Sequence, residues 1–251
     1  MKNKQKLLNV DRNAKTHKGQ SRGYLTGILY LAPANLSGFN VCPTASEGCK
    51  AACLNTAGRG AFTTTQAARI KKTLSYFNDR LAFMAQLKKE IISLQNKADR
   101  QGFIPCVRLN GTSDIPWERM KFECFSGLTI MEYFNNVQFY DYTKRANRRE
   151  LPDNYHLTFS LSEDNAGDAA RVLARGDNVA VVYRKDIPNF DTIGDDARCM
   201  VFARVVDGTT HDLRFLDDRG EGVIVGLCAK GKARYDTSGF VREFDDMHRK
   251  V

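Results

Sequence analysis

Tyr24-Leu25-Thr26-Gly27-Ile28-Leu29-Tyr30-Leu31 is apolar almost throughout, with only Thr26 and Gly27 as breaks. A strand with one wet face alternates apolar and polar residues, whereas a strand covered on both faces does not. The run therefore reads as an interior strand of a largely parallel sheet. Six later runs read the same way, at residues 105–109, 138–142, 155–161, 178–183, 200–205 and 222–227. Between the first two strands, Ala67, Ile70, Leu74, Phe77, Leu81 and Met84 recur at helical spacing, and Leu87, Ile91 and Leu94 continue the stripe. Asn78 and Asp79 offer a cap where the stripe would divide into two helices, and Thr63, Thr64 and Thr65 offer one at its start. Weaker helical patterns cover 118–134 and 166–173.

Strands alternating with helices predict parallel βαβ units. The expected fold is α/β, a full or partial (β/α) barrel, with an open mostly parallel α/β sheet as the alternative. No internal repeat or low-complexity linker divides the chain. The expected organisation is a basic N-terminal arm over 1–22 and a single α/β domain over 23–251.

With 251 residues, of which 42% are hydrophobic, the chain can bury a sizeable core. No segment approaches the roughly 20 apolar residues that span a bilayer, so no membrane association is expected. Met1-Lys2-Asn3-Lys4-Gln5-Lys6 is charged but leads into no long apolar stretch, unlike a secretory signal. The expected location is the cytoplasm, where thiols stay reduced. Seven cysteines is an odd count, ill suited to a disulfide framework, and in a reducing compartment clustered cysteines are more often metal ligands or catalytic groups. The formal charge is +9, and its basic residues fall in runs: Lys2 to Arg22, then Lys144, Arg145, Arg148 and Arg149, then Lys230, Lys232 and Arg234. Such runs attract polyanions, nucleic acid or nucleotides among them, or else form a solvated face.

Three of the cysteines lie in Val41-Cys42-Pro43-Thr44-Ala45-Ser46-Glu47-Gly48-Cys49-Lys50-Ala51-Ala52-Cys53-Leu54, between the first predicted strand and the first predicted helix. In a barrel that is the carboxyl rim, where active sites are built. Pro43 and Gly48 suit a loop that turns back on itself. Cys49 and Cys53, four apart, share one face if that end is helical. Cys42, Cys49 and Cys53 are therefore expected to converge on a metal, with Lys50 and Arg59 favouring the thiolates. A structural zinc wants four ligands, usually paired cysteines. An iron–sulfur cluster also more often takes four; three leave one iron open for a substrate or cofactor. Cys106, Cys124, Cys199 and Cys228 read as core, Cys228 being the candidate fourth ligand.

This loop resembles the cluster-binding loop of radical S-adenosylmethionine enzymes, which place three cysteines after the first strand of a partial (β/α) barrel. Their common spacing is CxxxCxxC; the spacing here is Cys-x6-Cys-x3-Cys, with Gly48-Cys49 as in divergent phage proteins of radical-SAM-like type. Most of the chain is similar to the phage and plasmid gene product 88 family, through Lys15-Thr16 with Lys18-Gly19, residues 23–33, the cysteine loop with Gly58-Arg59-Gly60, Arg69-Ile70-Lys71-Lys72-Thr73, residues 108–114, Val225-Gly226 and Ala229-Lys230-Gly231-Lys232-Ala233. The resemblance implies a phage-type protein of the host cytoplasm and makes the cysteine loop a family feature. The likeness of the cysteine loop to that of radical S-adenosylmethionine enzymes implies an iron–sulfur (4Fe–4S) cluster with S-adenosylmethionine, zinc being the alternative. The function expected is an iron–sulfur oxidoreductase acting on a nucleotide or nucleic acid, or else a non-enzymatic nucleic-acid-binding protein with a structural zinc or cluster.

Other candidates stand where predicted strands end. Arg108-Leu109-Asn110-Gly111-Thr112-Ser113-Asp114 would point Asn110, Thr112, Ser113 and Asp114 at the cysteine rim, to hold a cofactor, although Ser113 or Asp114 also suits a helix cap before Pro116. Ser160 and Ser162, with Glu163 and Asn165, suit ribose hydroxyls or a cap, and Tyr183, with Arg184 and Lys185, suits an anion. Lys230, Lys232 and Arg234 follow the last strand among small residues and suit phosphate, without Walker spacing. His211-Asp212 reads as a surface histidine after a turn.

Overall fold

The computed structural model describes residues 5–10, 18–195, 200–218 and 220–243. Cys199 and much of the expected N-terminal arm lie outside them. In chain order the strands are β1 (Leu8–Val10), β2 (Tyr24–Leu29), β3 (Ile104–Arg108), β4 (Lys121–Phe122), β5 (Leu128–Thr129), β6 (Gln138–Thr143), β7 (Tyr155–Ser160), β8 (Val179–Tyr183), β9 (Phe190–Ile193), β10 (Val201–Asp207), β11 (Ile224–Cys228) and β12 (Val241–Arg242). The α-helices include α1 (Glu47–Ala51), α2 (Thr63–Asn78), α3 (Arg80–Gln101), α4 (Ile130–Tyr133) and α5 (Ala166–Ala174).

Ten strands form one mixed sheet in the order β1-β2-β3-β6-β7-β8-β11-β10-β9, with β12 also on β8. From β2 to β10 every neighbouring pair is parallel, and only β1 and β9 run antiparallel, as the two edges. The sheet path is open at both ends. All seven predicted strands are present; most of their residues are buried, except in β10, where exposed Phe202 and Arg204 alternate with buried Ala203 and Val205. Along β3, Val107 packs in the main core while Cys106 packs with Tyr140 and Leu213. Phe215 stands edge-on to Tyr24 and Tyr140, so 213–215 covers the face opposite the helices.

Helix α3 packs on β2 and β3 and α5 on β7 to β10, each over a cluster of buried apolar residues. One cluster runs from Leu7 to Tyr155 in sequence and the other from Phe159 to Ile224. Residues 7 and 8 of the expected arm belong to the first: Leu7 and Leu8 are buried, and their amides donate to the Glu90 carboxylate. An edge strand, rather than a free tail, occupies residues 8–10.

The long apolar stripe divides at Asp79, whose backbone is non-helical and whose carboxylate accepts from the Ala82 amide at 3.0 Å. Helix α3 keeps the expected face, burying Met84, Leu87, Ile91 and Leu94. Helix α2 does not. Its buried residues are Arg69, Lys72, Thr73 and Tyr76, while Leu81, just past it, is exposed. The reason is polar: α2 covers chain that leaves the sheet with unpaired backbone groups. Thr73 Oγ1 accepts from the Ala32 amide, and Lys72 Nζ donates to the Leu7 carbonyl. The threonines 63–65 do not cap α2, whose N-cap position is Phe62 without a side-chain bond. The helix predicted over 118–134 is instead a 3-10 turn (Trp117–Arg119), the β4–β5 hairpin and the single turn α4, broken by Ser126 and Gly127 at positive φ. Ser113 and Asp114 cap nothing there either, since the N-cap position is Pro116.

Removing the Asp79 cap tests the division of the stripe. Asp79→Ala is expected to lower unfolding stability by about 1 kcal/mol, seen as a lower urea midpoint at unchanged slope.

Candidate functional site

After β8 the chain crosses to the far edge, forms β9 and β10, and returns to lay β11 beside β8. Ligands of open α/β sheets bind at the carboxyl ends of strands where the order reverses in this way. A cavity of about 290 Å³ opens there, walled by Arg108, Tyr142, Ser160, Ala180, Val182 and Leu227 from the sheet and by the cysteine loop.

The loop is fastened at three places. Asp114 N donates to the Val41 carbonyl at 2.8 Å, and Thr44 Oγ1 donates to Asp114 Oδ2 at 3.3 Å. From the end of β7, Glu163 accepts from Ser46 Oγ at 2.8 Å and from the Gly48 amide at 2.7 Å. Ser46 in turn caps α1 by accepting from the Cys49 amide. A Cβ built on Gly48 would stand 2.2 Å from Ser238 Oγ and 2.7 Å from Glu163 Oε1, so this close approach requires glycine. Glu163 is the residue that sequence reasoning undervalued. Its partners lie 115 and 117 positions away, and nothing local announces them.

Cys42, Cys49 and Cys53 are free thiols, each half-buried, and all three line the cavity. Burial, and to a lesser degree Cys53 and Cys49, pushes the Cys42 thiol up to about 12. Burial also raises Cys49 and Cys53. The cations that favour their thiolates are Lys144 at Cys49 and Arg69 at Cys53. The expected Lys50 turns outward to Glu47 at 2.6 Å. Lys144 Nζ lies in the cavity wall, donating to the Ser160 carbonyl and hydroxyl and the Leu161 carbonyl at 3.1–3.2 Å, and burial lowers its pKa. Among the described residues, no group of three or more His, Cys, Asp or Glu side chains is placed so that it could hold a metal ion. The thiols share a cavity without meeting at a point. Cys228 lines the same cavity, and Cys106 is core, bonded to Thr26.

Of the cofactor candidates, Asn110, Thr112, Ser113, Asp114 and Ser160 line the cavity. Several are engaged within the protein. Asn110 Oδ1 accepts from Ser113, the Ile115 amide and Trp117, and its Nδ2 donates to Ile115 O. Thr112 donates to the Leu31 carbonyl. Asp114 accepts from Arg148 at 2.9 Å and from Thr143 and the Lys144 amide at 3.2 and 3.0 Å. Ser162 and Tyr183 do not line the cavity. Ser162 bonds Asp164, and Tyr183 donates to Asp191 at 2.7 Å on the side facing β9. Of the phosphate candidates Lys230 lines the cavity, whereas Lys232 and Arg234 stand outside it.

Two readings of charge are corrected. Arg148, expected in a basic face, is buried between Glu118 (2.6 and 2.9 Å), Asp114 and Tyr155. His211, expected at the surface, lines the cavity, and its pKa is pushed down to about 4 by burial with Arg214 and Arg22. Its neighbour Asp212 pairs with the buried Arg108 at 2.6 Å.

The gene product 88 family model matches residues 2–243, and the chain belongs to that family. No curated protein and no solved structure matches it significantly. Among the described residues no helix is long and apolar enough to cross a membrane.

Glu163→Ala should speed hydrogen exchange at Gly48 and through α1 by ten-fold or more, since each bond to a charged group contributes about 1.5–3 kcal/mol, with the other amides unchanged. His211 supplies a pH signature. Neutral in the fold, and protonating at the ordinary 6.5 when unfolded, it stabilises above that pH and loses this contribution as pH falls towards about 4. The stability advantage of the parent over His211→Gln, measured in urea, is expected to be larger at about pH 7.5 than at about pH 5.

Proposed function

We propose that this chain is an iron–sulfur oxidoreductase of radical-SAM-like type, with Cys42, Cys49 and Cys53 holding a 4Fe–4S cluster that faces the cavity and S-adenosylmethionine as the second cofactor. The observation that carries this reading is the placement of three free thiols on one cavity at the carboxyl ends of a parallel sheet. On this reading the open sheet is a partial barrel. A structural zinc usually takes four protein ligands, whereas a cluster held by three thiolates keeps one iron open for a cofactor.

Cys42, Cys49 and Cys53 would hold the cluster, which would supply the electron for reductive cleavage of S-adenosylmethionine. The chain's own residues prepare the place. Lys144 and Arg69 offset the negative charge of the thiolates at Cys49 and Cys53. Glu163 and Asp114 fix the loop, so that its amides and thiols are ordered before a ligand arrives. Arg108, held by Asp212 and flanked by the Tyr140 and Tyr142 rings at 5.6 and 5.1 Å, fixes the charge of the cavity wall. His211, its pKa pushed down to about 4 by burial beside Arg214, adds no positive charge to that wall near neutral pH. Lys18, Lys144 and Lys230 in the lining suit an anionic substrate, a nucleotide or nucleic acid.

Protein purified without oxygen and reconstituted with iron and sulfide is expected to be brown and to carry about four irons. Cys42→Ala should lose most of the iron and the visible absorption. S-adenosylmethionine should change the electron paramagnetic resonance spectrum of the reduced cluster. A colourless protein with one tightly held zinc overturns the proposal.

A further inference from the structure

Beside the cavity mouth the 3-10 turns Leu54–Thr56 and Gly231–Tyr235 pack against each other. They fit so closely that a Cβ on Gly231 would stand 2.9 Å from the Thr56 carbonyl and from Ala57. Cys53 and Leu54 from one turn and Lys230 and Ala233 at the other also line the cavity, so the paired turns make a shelf that runs to its edge.

The shelf departs from an ordinary surface in two independent ways. Its own charge is mainly positive, the exposed Glu243 behind it being paired with Arg184. Residues 48–78 contain no Asp or Glu, and residues 222–241 contain only Asp236, which is buried and accepts from Ser238 and the Val241 amide. Lys230, Lys232 and Arg234 stand exposed on the second turn. The shelf also displays aromatic rings. Tyr235 is 84% exposed and Phe62, closing the next turn, 60%. Tyr235 is not exposed through looseness. Ala233 and Asp236 on either side are buried, and Arg184 donates to the carbonyls of Arg234 and Asp236 from behind. An exposed ring on a backbone held from behind, with cations on its own turn, suits a flexible polyanion that carries flat apolar faces.

We infer that the shelf formed by the turns Leu54–Thr56 and Gly231–Tyr235 binds single-stranded nucleic acid, with a base stacked on Tyr235 and the phosphates on Lys230, Lys232 and Arg234. This narrows the substrate class to a strand, and it rests on the proposed function for its link to the cavity; binding itself is independent of the cluster. A duplex keeps its base faces stacked inside and offers the ring nothing.

Fluorescence anisotropy with short labelled single strands of RNA and DNA, and with the matching duplexes, tests it. Single strands are expected to bind at least ten-fold more tightly than duplex. Tyr235→Ala should weaken binding roughly ten-fold, the usual scale for one stacked base, and Tyr235→Phe should restore it. Lys232→Gln with Arg234→Gln should lower the salt slope by about 1.4. Equal binding of single strand and duplex, full affinity in Tyr235→Ala, or no binding at low salt overturns the inference. The same titrations with iron-free protein and with Cys42→Ala keep the two proposals apart. Strand binding by a chain that never takes up iron sinks the cluster alone, and an iron-loaded chain that ignores strands sinks the shelf alone.

Discussion

One buried carboxylate ties the carboxyl edge of the sheet together. Asp114 takes bonds from Thr44 in the cysteine loop, from Thr143 and the Lys144 amide at the end of β6, and from Arg148 beyond it, while its own amide holds Val41. An ionised group in this position is tolerable only with opposite charge and several donors around it. Arg148, with no exposed side-chain surface, meets that need and bridges to Glu118 and Tyr155. Tyr155 passes the network on to Asp141, which receives the Asn110 amide. The cavity wall and the cysteine loop are thus cut from one polar network, and neither can shift without uncovering a charge in the other.

Legibility from sequence followed how local each cause was. Most strands could be read because burial on both faces leaves nearly unbroken apolar runs. The division at Asp79 could be read because a cap acts within three residues. Helix α2 misled, since its covered face carries Arg69, Lys72 and Thr73 to satisfy distant backbone groups, and polar burial leaves no hydrophobic period. The 118–134 segment has helical apolar spacing but bends at Ser126 and Gly127. The four short strands β1, β4, β5 and β12 are too brief to show any period.

At the site, the turn-forming residues between the cysteines pointed to convergence on a metal; all three line one cavity, with no metal-holding group among the described residues. Their electrostatic partners were not legible. Lys50 and Arg59 are neighbours in sequence, yet the cations that act on the thiols are Lys144, reaching in from the end of β6, and Arg69, one face of α2. The basic run 144–149 divides in the same way: Lys144 and Arg148 turn inward, while Arg149 stays exposed. A charge run in sequence says how many cations are present, not which way they point.

The Glu163 contact has a consequence for how the protein is made. The residues of the first apolar cluster have all left the ribosome by Tyr155, so that half can collapse while the remainder is still being synthesised. The clasp on Ser46 and Gly48 comes only afterwards, from the far side of that boundary. During translation the loop can therefore be held by Asp114, at Val41 and Thr44, before Glu163 follows. Until then a chain still on the ribosome lacks the Glu163 contact that joins this loop to the second half of the sheet.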